Sequence, residues 1–265
     1  MNRILTASEH LMWLSYNNSP ENVTLSATVK GSFTIDLLTE SLAWLQLRHS
    51  RLRVKIVTNN QNQPQFSSVN VLPIPLRVID PQGEAHWCQE MVEELLQPLN
   101  WSEEPLMRVL LLHSPDISNL IITFHHGIGD GLSGACLIRD ILQFIGEPDS
   151  PRELLPDLPP VDEIIPDLTK DWVEEDLDDS MKEESILTAN YRNNNELNTS
   201  EIFPIRLFNW TLSSAETTKL VARCREEKTS VNGALCAAFL LAIAAEIKSP
   251  NEIILKCCTP VNVRK

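Results

Sequence analysis

The chain has 265 residues, 43% hydrophobic and 22% charged, with a formal net charge of −14. That balance suits a globular protein with room for one large core or two ordinary ones, while so acidic a surface repels phosphate backbones and removes nucleic acid from the expected partners. No apolar run is long enough to span a bilayer, and the opening MNRILTASEHLMWLSY meets Glu9 and His10 too early for a secretory signal.

In chain order, LTASEHLMWLSYN has helical spacing behind Thr6 or Ser8 as candidate caps. NVTLSATVKG alternates as a strand ending at Gly31. TIDLLTESLAWLQLRHS places Ile35, Leu38, Leu42 and Leu45 on one helical face behind Thr34. RLRVKIV then reads as a strand, NNQNQPQ as an exposed turn, and EAHWCQEMVEELLQ as a helix. LMRVLLLH and NLIITFHH flank SPDISN, which predicts a β-hairpin whose second strand delivers two histidines. LSGACLIRDILQFI follows at once as an apolar helix.

Residues 146 to 168 hold Pro148, Pro151, Pro156, Pro159, Pro160 and Pro166, which excludes long regular structure. Between 161 and 200 there are twelve acidic residues against three basic ones, the composition of a solvated linker rather than a binding tail. The pattern resumes with strand FPIRLFNWTL, helix SAETTKLVARCREE capped by Ser213 or Ser214, apolar helix VNGALCAAFLLAIAAEI and strand EIILKCCTPVNV. The expected organisation is therefore a lobe over 1–160, an acidic connector over 161–200 and the beginning of a second lobe over 201–265. Cys88, Cys136, Cys224, Cys236, Cys257 and Cys258 show neither C-x-x-C spacing nor a disulfide framework, so free thiols and a cytoplasmic location are expected.

Four of the eight glycines fall in FHHGIGDGLSG, residues 124–134, beside two histidines and an aspartate. Three readings compete. GDGLSG matches G-x-G-x-x-G between a strand and a helix, but no second buried strand with a ribose-binding acid follows, and Asp130 would oppose a pyrophosphate. GLSGA approximates a nucleophile elbow, yet all six histidines precede Ser133, the wrong order for an α/β-hydrolase triad. The third takes HHGIGDG as H-H-x-x-x-D-G. Successive strand side chains point to opposite faces, so His125 and His126 cannot share a site or a metal. One enters the core while the other meets solvent or a channel, where an imidazole is suited to take and return a proton. Glycines at 127, 129 and 131 let the backbone fold back tightly. Two structural readings stand beside this one: both histidines as satisfied core residues, and Asp130 as the N-cap of the following helix.

PLMRVLLLHSPDISNLIITFHHGIGDGLSGACLIRDIL resembles the hairpin, HHxxxDG loop and helix of the CoA-dependent acyltransferase superfamily. That superfamily includes chloramphenicol acetyltransferase, condensation domains of nonribosomal peptide synthetases, alcohol acetyltransferases and phthiocerol dimycocerosyl transferases. LTASEHLMWL is similar to its opening helix and LAWLQLRHSRLRVKI to its RHxxLR segment. PRELLPDLPP, TSVNGALCAAFLLAI and TPVNVR resemble the freestanding members.

The resemblance implies a layered α/β (α+β) chloramphenicol acetyltransferase-like fold of two lobes, the first complete and the second truncated, since the family's DFGWG segment is missing. The fragment alone is expected to be nearly inactive. His126 would be the general base, and an acyl group would pass from a CoA or phosphopantetheinyl thioester to a hydroxyl or amine acceptor. Asp130 would brace the loop through an arginine, for which Arg48, Arg53 and Arg264 stand at matching positions; for RHSRL, cations favouring a helix end is the competing explanation. Gly131 would permit the turn and His125 would be structural. No permanently bound cofactor or metal is implied. An acyl carrier protein is a possible partner, although the acidic surface favours free acyl-CoA. An amide-forming condensation domain and a non-catalytic carrier- or acyl-binding module of the same fold are the rival functions.

Overall fold

The hairpin around SPDISN forms the centre of the first lobe. In the computed structural model, which describes residues 2–18, 22–157, 159, 160, 163, 207–246 and 255, β1 (Arg3–Ile4) and α1 (Ala7–Asn18) lead into β2 (Asn22–Lys30) and α2 (Ile35–Arg48). A 3₁₀ turn at Ser50–Arg53 precedes β3 (Lys55–Thr58), β4 (Pro64–Ser67), β5 (Leu76–Ile79) and α3 (His86–Leu96). The hairpin itself is β6 (Met107–Leu112) and β7 (Ile117–His125), followed by a 3₁₀ turn at His126–Ile128 and α4 (Gly131–Gly146). Four strands pair in the order β2-β7-β6-β5, with only β5 and β6 parallel, and β1-β4-β3 make a small antiparallel sheet.

Side-chain alternation divides the large sheet into two faces. Met107, Val109 and Leu111 of β6, with Leu120, Ile122 and Phe124 of β7, pack against Leu38, Leu42 and Leu45 of α2 and Leu137 and Ile141 of α4. The opposite parity, Leu110, Leu112 and Ile121, packs with Ile79 and with Trp87 and Met91 of α3. α2 forms where its spacing predicts, with the Thr34 hydroxyl accepting from Leu37 N–H at 3.1 Å. Ile35, counted on its buried face, is 41% exposed, whereas Ser41 is buried with its hydroxyl on the Leu38 carbonyl.

The clustering of contacts divides the chain into two units, Met1–Leu207 and Phe208–Lys265. In the second, α5 (Ser214–Glu226) opens on a reciprocal Ser213–Glu216 capping box. It is followed by α6 (Val231–Glu246), where Phe239 meets Trp210 edge-on at 6.4 Å. The acidic connector, except Glu163, and the last strand, except Leu255, lie outside the described residues. Among the described residues, Cys88, Cys136 and Cys224 are free thiols, and no single helix is long and apolar enough to cross a membrane.

Three local expectations fail. The strand read into RLRVKIV begins only at Lys55, because Ser50–Arg53 coil into a 3₁₀ turn that carries Arg51 inward to 7% exposure. NNQNQPQ is a turn only as far as Gln63: Pro64 and Gln65 already belong to β4, and Asn62 has the left-handed φ of 62° that closes the hairpin. FPIRLFNWTL forms no strand over 207–212, the part of it that is described with the helix cap that follows.

Arg51 turns inward toward Glu9, which is 2% exposed on α1. Its carboxylate accepts from Arg3 at 2.6 and 2.7 Å, from Arg51 at 2.6 Å and from the Thr6 N–H at 3.0 Å. Burial alone would raise the carboxyl pKa; the Arg3 and Arg51 hydrogen bonds outweigh it and hold the group at about 2. The second Arg51 nitrogen donates to the Pro159 carbonyl at 3.1 Å, so the same guanidinium ties α1 to the segment leaving the lobe. Glu9→Gln leaves two guanidinium groups facing a neutral amide, and the expected outcome is a loss of about 3 kcal/mol in urea unfolding, with Glu9→Asp losing less.

Candidate functional site

β7 carries Ile121, Thr123 and His125 at one parity and Leu120, Ile122 and Phe124 at the other. His125 therefore follows Ile121 to the α3 face while the apolar set faces α2 and α4. Its ring is 0% exposed and lies against Tyr16 of α1, with centroids 4.4 Å apart. The strand ends at His125; His126 starts the 3₁₀ turn and is exposed. The pleat thus sends the first imidazole into the interior, and the turn that begins at His126 leaves the second at the surface.

His125 also shapes the turn. Its Nδ1 accepts the Gly127 N–H at 2.9 Å, which leaves the proton of the neutral ring on Nε2. Burial, with a smaller contribution from the charge of His126, pushes the His125 pKa down to about 4. Its Nε2 is buried without a hydrogen-bond partner among the described residues, the kind of cost that persists where a surrounding structure over-determines a side chain. Glycine is required in this loop by close approach rather than by left-handed backbone. A Cβ on Gly129 would stand 2.9 Å from Ser133 Cβ, and one on Gly134 would stand 2.4 Å from Leu25 Cδ1 of β2. Gly131, expected to permit the turn, would meet nothing within 4 Å, so the steric demand lies at its neighbours.

Asp130 is the N-cap of α4. Its Oδ1 accepts from Ser133 N–H at 2.9 Å and Ser133 Oγ–H at 2.8 Å. The arginines expected to reach it make their ion pairs elsewhere: Arg48 Nε with Asp140 at 2.8 Å and Arg53 with Asp157 at 3.6 Å. Arg264 lies outside the described residues. Asp140, 2% exposed two and a half turns along α4, is shared by Arg48, His49 (2.9 Å) and Arg139 (2.8 Å). Burial would raise its pKa, but the hydrogen bonds from Arg139, His49 and Arg48 bring it down. Arg48 also donates to the Glu153 carbonyl, pinning the chain beyond α4. A cleft of about 240 Å³ beside Trp44, Arg48, Phe144 and Arg152 lies at the C-terminal end of α4, away from the histidine loop. Among the described residues no group of three or more His, Cys, Asp or Glu side chains is arranged to hold a metal ion.

Sequence reasoning passes over Tyr16 and Asn22. Tyr16 is one of only two tyrosines, the sole compositional signal for it, and Asn22 is paired directly across the sheet from His125.

Two outcomes follow from this geometry. A folded-state pKa near 4, against 6.5 for free histidine, means that His125 contributes stability present above pH 6.5 and lost as pH falls through 4, at most about 3 kcal/mol. His49 is shifted in the same direction, chiefly by burial, so the comparison is with His125→Asn, whose amide oxygen keeps an acceptor for Gly127. Urea midpoints of that variant should fall less between pH 6.5 and 4 than those of the parent. Separately, Gly129→Ala should lower the unfolding temperature while Gly131→Ala leaves it level or raises it, since alanine favours the helix by about 1 kcal/mol over glycine.

The family model for the Condensation domain matches residues 11–158, more than half the chain, and that for the Phthiocerol/phthiodiolone dimycocerosyl transferase C-terminus matches 205–265. Cyclosporin synthetase simA of Tolypocladium inflatum is 32% identical over 123 residues, covering 45% of this chain and 1% of the synthetase. The Probable alcohol acetyltransferase FCK4 of Fusarium pseudograminearum is 24% identical over 238 residues, covering 80% of this chain and 49% of that protein. The first condensation domain of the calcium-dependent antibiotic synthetase, solved with a substrate analogue, superposes with a TM-score of 0.48 at 19% identity, over 54% of this chain and 37% of that one. The chain thus spans about half the length of FCK4 and small parts of the synthetases. With a lobe of mixed sheet and helices built around the HHxxxDG loop, it belongs to the condensation-domain family, within the CoA-dependent acyltransferase superfamily.

Proposed function

We propose that the protein transfers an acyl group from a CoA or phosphopantetheinyl thioester to a hydroxyl or amine, with His126 as general base. The observation that carries the reading is the exposed imidazole at the end of a buried strand, held from behind by a neutral, fully buried neighbour. The acceptor O–H or N–H gives its proton to His126 as the heteroatom attacks the thioester carbonyl. The tetrahedral intermediate then expels the thiolate, which takes that proton back from the imidazolium. His126 ends as it began, and ester or amide and free thiol are the products.

Asp130 serves this reaction by setting the start of α4, where its carboxylate fixes Ser133. Any further brace from Arg264 is part of the same proposal. Alcohol acceptors are favoured by the FCK4 similarity, which runs over 80% of the chain. The amide-forming reading rests on the match of residues 11–158 to the Condensation domain and on the likeness to peptide synthetases, among them Bacitracin synthase 1 of Bacillus licheniformis, 28% identical over 140 residues.

In the full-length protein, His126→Ala should slow thiol release from acyl-CoA by about 10²- to 10⁴-fold and leave donor affinity within about threefold. A loss smaller than about threefold, far below a general-base contribution, would refute the assignment. Supplying matched alcohol and amine acceptors in the same assay separates ester from amide formation.

A further inference from the structure

The buried imidazole is held by more than its own loop. Tyr16, on the last turn of α1, is 4% exposed and packs its ring on His125 at 4.4 Å. Its hydroxyl is fixed on both sides: it donates to Asn22 Oδ1 at 3.0 Å and accepts the Leu99 N–H at 2.6 Å. Asn22, 7% exposed, in turn donates to the carbonyls of Glu94, Leu95 and Gln97 at 3.2, 3.1 and 2.8 Å, satisfying the end of α3. Arg108 of β6 donates to two of the same carbonyls, Glu94 at 2.7 Å and Gln97 at 2.8 Å. The network runs from the C-terminus of α3 through Asn22 and Tyr16 to His125, and from His125 Nδ1 to the backbone of Gly127, the residue immediately after His126.

Close packing holds the Tyr16 ring, 4% exposed, in one orientation, its two hydrogen bonds adding stability, and a ring packed on it at 4.4 Å inherits that orientation. His125 has no other side-chain hydrogen bond to set its ring plane among the described residues. The Tyr16 ring therefore sets the direction of Nδ1, and Nδ1 sets the first peptide of the 3₁₀ turn that carries His126.

We propose that Tyr16 is a positioning residue for His126: its buried ring orients His125, which fixes the backbone from which the exposed imidazole projects. The proposal rests on the reading of His126 as the base, and its test has one arm independent of that reading.

The experiment uses the full-length protein with Tyr16→Phe, Tyr16→Leu and His126→Ala, measuring kcat and KM for acyl-CoA consumption, the unfolding temperature, and the His126 imidazole resonances by ¹H–¹³C NMR. Tyr16→Phe keeps the ring against His125 but strands the Leu99 N–H, so stability should fall while kcat stays within about threefold. Tyr16→Leu removes the ring; kcat should fall about 30-fold with KM within about threefold, the scale of a catalytic group displaced by less than 1 Å. The His126 resonances should shift or broaden in Tyr16→Leu and stay in place in Tyr16→Phe.

If kcat merely follows unfolding temperature across both variants, or if Tyr16→Leu leaves kcat within about twofold, a loss too small for misplacement, with the His126 resonances unmoved, Tyr16 is structural only and the proposal fails. If Tyr16→Leu does not fold, Tyr16→Met fills more of the space and carries the same expectations. Should His126→Ala retain full activity, the base assignment falls, and the NMR arm still decides whether Tyr16 positions the ring.

Discussion

One hydrogen bond, from the Gly127 amide to Nδ1 of His125 at 2.9 Å, makes the two adjacent histidines into different chemical objects. The alternation of β7 sends the first imidazole inside, and this bond ends the strand by turning the chain so that the second lies at the surface. Burial then holds the inner ring neutral, with a pKa near 4, and a neutral ring is what the bond requires, since a protonated Nδ1 has no lone pair to offer. Geometry and protonation state support each other: the turn depends on the ring being uncharged, and the ring is uncharged because the turn closes over it.

Around this point the lobe is joined by buried carboxylates placed where elements meet. Glu9 gathers Arg3, Arg51 and the start of α1, and Asp140 gathers the end of α2 and the middle of α4. Each carboxylate keeps its charge inside the protein because several donors converge on it, which costs less than leaving any one of those cations buried alone. Helix α1 touches the histidine turn, so the ion cluster at one end of α1 and the Tyr16 ring at the other fix the helix on both sides of that contact.

The hairpin, α2, α3, α4 and both helices of the second unit were legible because each has a long apolar pattern of one period, bounded by caps or turns that local chemistry dictates. β1, β4 and β5 were not, since they have two to four residues each and periodicity needs more. RLRVKIV misled for a different reason: its propensity is that of a strand, but Arg51 is bound by a carboxylate forty-two residues earlier, a tertiary contact that overrides local preference. In the site, alternation separated the two imidazoles, and the resemblance to the HHxxxDG motif said that His126 is the one left accessible. Asp130 showed as a cap from its place before the helix, whereas the destination of Arg48, the buried Asp140, depends on two helices packing side by side.

Asp140 has a bearing on how this protein can diverge. Two guanidinium groups and the His49 ring converge on its two oxygen atoms, and one of them, Arg48, also stacks on Trp44 at 5.2 Å and secures the backbone at Glu153. A replacement at any one of these positions alters the worth of the others, so their effects will not add. Drift there is confined to coordinated changes, and positions 48, 49, 139 and 140 should vary as a group among relatives rather than one at a time.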